Sequence, residues 1–121
     1  MTQEDKDLLI KDLCARLPYR VKIELSWWVM GEGTYINTTL EPDHINQLLN
    51  DEDGDTEIKP YLRPMSSMTE EEKLMYEGLM IGTDNISYML DVVDWLNAHH
   101  FDYRGLIDKS LALDATGLNI Y

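Results

Sequence analysis

The chain has 121 residues, enough for one domain with its own core, and 44% of them are hydrophobic. Its formal charge of −13 repels phosphate backbones and anionic lipid, which argues against direct nucleic-acid or membrane-surface binding. The single cysteine, Cys14, excludes an internal disulfide and a cysteine-rich metal site and suits a reducing compartment. No basic start leads into an apolar run and no apolar stretch approaches a membrane span, so a cytoplasmic location is expected.

Residues 2–16 read as a first helix. Thr2 is its N-cap, Glu4 and Asp5 lie in the first turn where the helix dipole favours anions, and Leu9, Leu13 and Arg16 share one stripe. Pro18 ends it. From Arg20 the period changes to two: Val21, Ile23, Leu25, Trp27 and Val29 alternate with Lys22, Glu24, Ser26 and Trp28, the pattern of a half-buried strand. Gly31-Glu32-Gly33 reads as a turn into a partner strand over Thr34–Leu40, and Glu41-Pro42-Asp43 as a second turn. Ile45–Leu49 fits a strand of the same meander, and extended pattern resumes at Thr56–Ile58 beyond the Asp-Gly turn at Asp53-Gly54. Lys59–Met65, with Pro60 and Pro64, reads as an irregular strap over the sheet.

Thr69-Glu70-Glu71-Glu72 is a capping box opening a helix to about Met80, with Leu74, Met75, Leu79 and Met80 as its packing face; Gly82 ends it. The longest helical pattern follows, Asp84–Leu106, capped by Thr83 or Asp84. Helical spacing aligns Ile86, Met89, Leu90, Val93, Leu96 and His100 on its core face, with Tyr88 and Trp95 near the opposite side. Leu106–Leu113 fits either a short helix or an edge strand. The whole predicts one α+β domain over 1–121: an N-terminal helix (1–18), a small antiparallel sheet or SH3-like barrel with its strap (19–65), and a helical part (66–121).

Three stretches, Lys11–Lys22 (KDLCARLPYRVK), Ile58–Glu72 (IKPYLRPMSSMTEEE) and His99–Leu113 (HHFDYRGLIDKSLAL), resemble a group of small uncharacterised proteins encoded by gut bacteria and their phages or prophages. They cover about a third of the chain. The resemblance implies a phage or mobile-element context and a fixed helical frame around a changeable sheet, carries no catalytic residue, and leads one to expect glycine where this chain has Arg20 and Ser110.

Chemistry is sparsely signalled. His99, His100 and Asp102 could ligate Zn²⁺ or transfer protons, but adjacent helical histidines diverge by about 100°, and the simpler reading is a helix C-terminus with Asp102 pairing Arg104 or capping the next turn. The acidic run Asp51–Glu57 fails as an EF-hand, since placing Gly54 at the loop's sixth position puts Pro60 where a glutamate ligand belongs. No phosphate-binding glycine loop, nucleophile elbow or cofactor motif is present. The reading that remains is a non-enzymatic module that binds a basic protein surface through Asp51, Asp53, Asp55 and Glu57, with Trp28, Tyr88 and Trp95 as aromatic anchors. A small metal-assisted hydrolase built on His99, Asp102 and the acidic loop, and a structural or virion-associated subunit, are the alternatives.

Overall fold

The structure is a computed structural model that describes residues 2–29, 32–51, 54–81 and 86–121, with the side chains of 28, 29, 32, 34 and 86–89 left aside. It is α+β, with four α-helices and a small mixed sheet among the described residues. Helix α1 (Gln3–Arg16) starts where Thr2 accepts a 3.0 Å bond from the Asp5 N–H, as its sequence dictates. Its inward face is Leu9, Asp12, Leu13 and Arg16, all buried. A short 3₁₀ turn (Leu17–Tyr19) leads to Arg20 in left-handed backbone (φ 56°) and then to strand β1 (Lys22–Val29).

Strand β2 (Glu32–Thr39) pairs antiparallel with β1, so Glu32 and Gly33 belong to the strand and not to the turn. Gly31, the Asp53 half of the Asp-Gly turn, Gly82 and the expected caps Thr83 and Asp84 lie outside the described residues.

Two sequence expectations are corrected here. Ile45–Leu49 is not a strand but the end of helix α2 (Pro42–Leu49). Pro42 occupies its first turn, and the Glu41 N–H donates to His44 Nδ1 at 3.0 Å, so Glu-Pro-Asp starts a helix. Ile45 and Leu48, one turn apart, face the core. The prolines of 59–65 likewise lie within strand β3 (Thr56–Pro64), whose Ile58, Pro60 and Leu62 alternate inward. The strand tolerates Pro60 because its missing N–H falls on the side away from β1: Pro60 lies opposite Ile23, whose own backbone groups turn to β2. Thr56–Pro60 pairs with β1, whereas Tyr61–Leu62 pairs with β5 (Leu113–Asp114) and Arg63–Pro64 with β4 (Phe101–Asp102).

The pairings to β4 and β5 are parallel, so the expected antiparallel pattern holds for the three long strands only. The order β2-β1-β3-β4 leaves the sheet open, with β2 at one edge. The return from β3 to β4 runs through helices α3 (Glu70–Met80) and α4 (Ile86–Ala98), since a parallel neighbour needs a crossover.

One cluster, with Leu9, Leu13, Val21, Ile23, Ile58, Leu62 and Leu106, fills the space between α1, α2 and the sheet. A second, of Met68, Val92, Leu96 and Phe101, seats α3 and α4 on the body with Tyr76, Leu79 and Trp95 packed against it.

The predicted core face of the longest helix is displaced. Val92 and Leu96 are buried, but Leu90 is 61% exposed. Leu90 and Asn97 lie two turns apart on nearly the same side of α4. Asn97 is buried and accepts a 3.0 Å bond from the Tyr103 hydroxyl, while Leu90 is exposed among the described residues. The helix leaves the body along its own length, which no periodicity can reveal. It also ends at Ala98, so His100 is not on its face but in a left-handed turn (φ 64°).

Candidate functional site

Arg63, on β3, grips Glu72 of α3 with both guanidinium nitrogens, at 2.6 and 2.8 Å, and lies 4.2 Å over the Phe101 ring. The fork holds the Glu72 carboxyl down at about 2, while the same side chain closes the capping box with Thr69. Beside it His99 Nδ1 lies 2.9 Å from the Trp95 carbonyl oxygen, and its ring packs on Trp95 at 4.3 Å. His100 stacks on Tyr121 at 3.7 Å. Burial, with Arg16 nearby, pushes His100 down to about 4 and keeps it neutral. The Tyr121 hydroxyl accepts from the Lys22 N–H and donates to the Tyr61 carbonyl, and burial pushes it up to about 12.

These side chains line a groove of about 720 Å³. Its polar groups are largely committed to one another or to backbone. Asp102, proposed as a ligand or base, accepts from the Leu106 and Ile107 N–H groups at 2.9 Å each, one per carboxylate oxygen, and so caps the next turn. Arg104 pairs with Asp12 at 3.0 Å and not with Asp102. Among the described residues no three His, Cys, Asp or Glu side chains converge as a metal site.

The acidic loop is also partly spoken for. Asp51 accepts from the N–H groups of Asp55 and Thr56, and Glu57 pairs with Lys59 at 3.1 Å. The loop borders a second groove, of about 590 Å³, whose rim adds Lys6, Lys59 and Lys109, so its negative charge is locally offset. Asp55 is exposed, and Asp53 lies outside the described residues. The carboxylates at the start of α3 border the first groove instead, so the two acidic sets do not meet around one cavity. Of the aromatic anchors, Trp95 is half-buried between Tyr76 and Phe101 and offers a partner only an edge; the side chains of Trp28 and Tyr88 lie outside the described set.

The surface that sequence reasoning missed is on α3. Its inward face is Glu72, Tyr76 and Leu79; of the expected Leu74, Met75, Leu79 and Met80, Leu79 packs inward and the other three are exposed. Leu74 is 70% and Ile81 79% exposed, and Met75 is exposed between them. Leu74, Gly78 and Ile81 follow at four and then three residues, a stripe along one side, with exposed Glu70, Glu71 and Glu77 around it. A methyl group added to Gly78 would meet nothing within 4 Å. A mid-helix glycine costs about 0.5–1 kcal/mol relative to alanine, and no packing within the described residues asks for it here. The capping box announced this helix, but its amphipathic pattern allows two phases, and only the Arg63–Glu72 fork selects between them.

No protein-family model matches the chain, and neither a curated protein nor a solved structure matches it.

Proposed function

We propose that the protein is a non-enzymatic binding module whose α3 face takes up a basic, amphipathic helix or helical face of a partner protein. The carrying observation is the uncovered stripe Leu74–Gly78–Ile81 with Met75, set among Glu70, Glu71 and Glu77. An apolar stripe between carboxylates complements a helix whose apolar stripe lies between lysines or arginines. Gly78 lets such a helix approach the α3 backbone closely, which accounts for a glycine the free helix does not need. The overall charge of −13 steers a cationic partner in, raising the association rate more than the affinity. The acidic loop contributes to that steering through Asp55. The resemblance to proteins of phages and their hosts fits an accessory protein acting on a host protein.

A synthetic peptide of leucines and lysines with helical amphipathic spacing tests this reading. It binds the wild type, with affinity falling as salt rises, and binds Leu74→Ser/Ile81→Ser several-fold more weakly although that variant keeps the same charge. Equal binding to both proteins would reduce the interaction to bulk charge and contradict the proposal.

A further inference from the structure

Strand β2 is an edge without the usual guards. Natural edge strands carry lysines, prolines or bulges that stop another strand from pairing. Residues 33–39, reading GTYINTT, have none of these and carry no charge in a chain of −13. The Leu40 N–H bonds the Val21 carbonyl at 2.9 Å, which fixes the alternation along the strand. By that alternation the backbone groups of Gly33, Tyr35, Asn37 and Thr39 point away from β1, and among the described residues no strand pairs with them. Among threonines and Asn37, this edge carries one large exposed hydrophobic side chain on each face. Tyr35, opposite Ser26, is 64% exposed on the outer face. Ile36 lies opposite Leu25, on the face that carries the core, yet is 44% exposed because the core layer stops short of the edge.

We propose that β2 pairs edge to edge with β2 of a second copy of this chain, joining the two sheets into one. Charge decides the occupant. A cationic partner is drawn to the carboxylates elsewhere, whereas an uncharged edge is where two chains of like sign approach at least cost. A two-fold axis normal to the sheet keeps each face in register with itself. Centred on Ile36, it sets Gly33 against Thr39 and Tyr35 against Asn37, so that all four outward residues of each chain are hydrogen-bonded. Ile36 of one chain then sits beside Ile36 of the other in a close, non-hydrogen-bonded pair, and the core face runs on across the junction. The rest of each surface repels, so the dimer tightens as salt screens the charge, opposite in sign to binding of a basic peptide.

Sedimentation equilibrium over a range of protein concentrations, at about 0.05 M and about 0.5 M salt, tests this. The wild type shows a monomer–dimer equilibrium with more dimer at high salt. Ile36→Lys, and separately Tyr35→Pro, which removes an outward N–H, stay monomeric while retaining the wild-type circular dichroism spectrum. In a Cys14→Ser background, Ile36→Cys closes a disulfide between two chains under mild oxidation and Thr38→Cys does not. A wild type that is monomeric at both salt concentrations, a dimer indifferent to Ile36→Lys, or equal cross-linking at positions 36 and 38 would overturn the proposal. None of these outcomes bears on the α3 face.

Discussion

Arg16 and Phe101 lie 85 positions apart, and the Arg16 guanidinium donates a 2.7 Å bond to the Phe101 carbonyl oxygen. The same guanidinium pairs through Nε with Asp12 at 2.7 Å, and Asp12 also holds Arg104. The fully buried Asp12 and Arg16, with the half-buried Arg104, tie α1 to the turn after α4. Burying a charge is tolerable only when it is paired, so removing one member leaves another stranded. Asp12→Ala, which strands the fully buried Arg16, is expected to cost about 3–5 kcal/mol in urea denaturation. Asp12→Leu combined with Arg16→Met should cost far less than the sum of the single changes, since Arg104 is close enough to the surface to turn outward.

Along α4 the exposure pattern sets Leu96 against Leu90. Leu96→Ala should destabilise by about 2–5 kcal/mol, while Leu90→Ala should stay within about 0.5 kcal/mol of wild type. Thermal melts of both variants decide whether α4 leaves the body where the structure places its exit.

Arg20 (φ 56°) and Ser110 (φ 61°) are two of the residues with side chains that hold left-handed backbone. These are the positions where the resemblance led one to expect glycine. Glycine removes the steric penalty, so Arg20→Gly and Ser110→Gly should each stabilise by about 0.5–1 kcal/mol after glycine's extra unfolded-state entropy is counted. Ser110→Val should lower the melting temperature.

Acid should destabilise the protein in two steps. His100 has its folded pKa depressed to about 4 from 6.5, so the unfolded chain binds the extra proton between those values, and stability falls as pH drops from about 6.5 to about 4. Glu72, held near 2 against an ordinary 4.5, adds a second loss below about 4.5. His100→Asn, a residue that tolerates left-handed backbone, should flatten the upper step in denaturation midpoints measured against pH and leave the lower one.

What the sequence disclosed and what it hid divide along physical lines. Local signals read true. Thr2 and the Thr69 box mark helix starts because their bonds span only three residues. The alternation that starts at Lys22 marks a strand because Ile23 and Leu25 are buried while Lys22 and Glu24 between them are only half-buried. Helix α2 is an exception, a local misreading, since Pro42 and the Glu41–His44 bond mark a helix start within three residues; the other misreadings depend on distant partners. Pro60 stays in a strand because its nitrogen points away from β1, which only the register of the paired strands shows. Leu74 is exposed because Arg63 turns Glu72 inward, and Leu90 because the body ends beneath it. The Asp12–Arg16 pair did leave a trace, a charged residue on the Leu9–Leu13 stripe with its counter-charge four residues before. The acidic loop stood out by composition, yet the structure spends Asp51 on its own turn.

The central claim, that α3 presents a docking face for a basic helix, is tested most directly by titrating the leucine–lysine peptide into isotope-labelled protein and following backbone amide shifts, with Gly78→Ala and Gly78→Trp in parallel. The largest shifts should fall between Leu74 and Ile81. Gly78→Ala should raise stability by about 0.5–1 kcal/mol, because the position is open. Gly78→Trp should remain folded and lose peptide binding at least tenfold. Shifts centred on Asp55 and Glu57, or undiminished binding by the folded Gly78→Trp variant, would contradict the account.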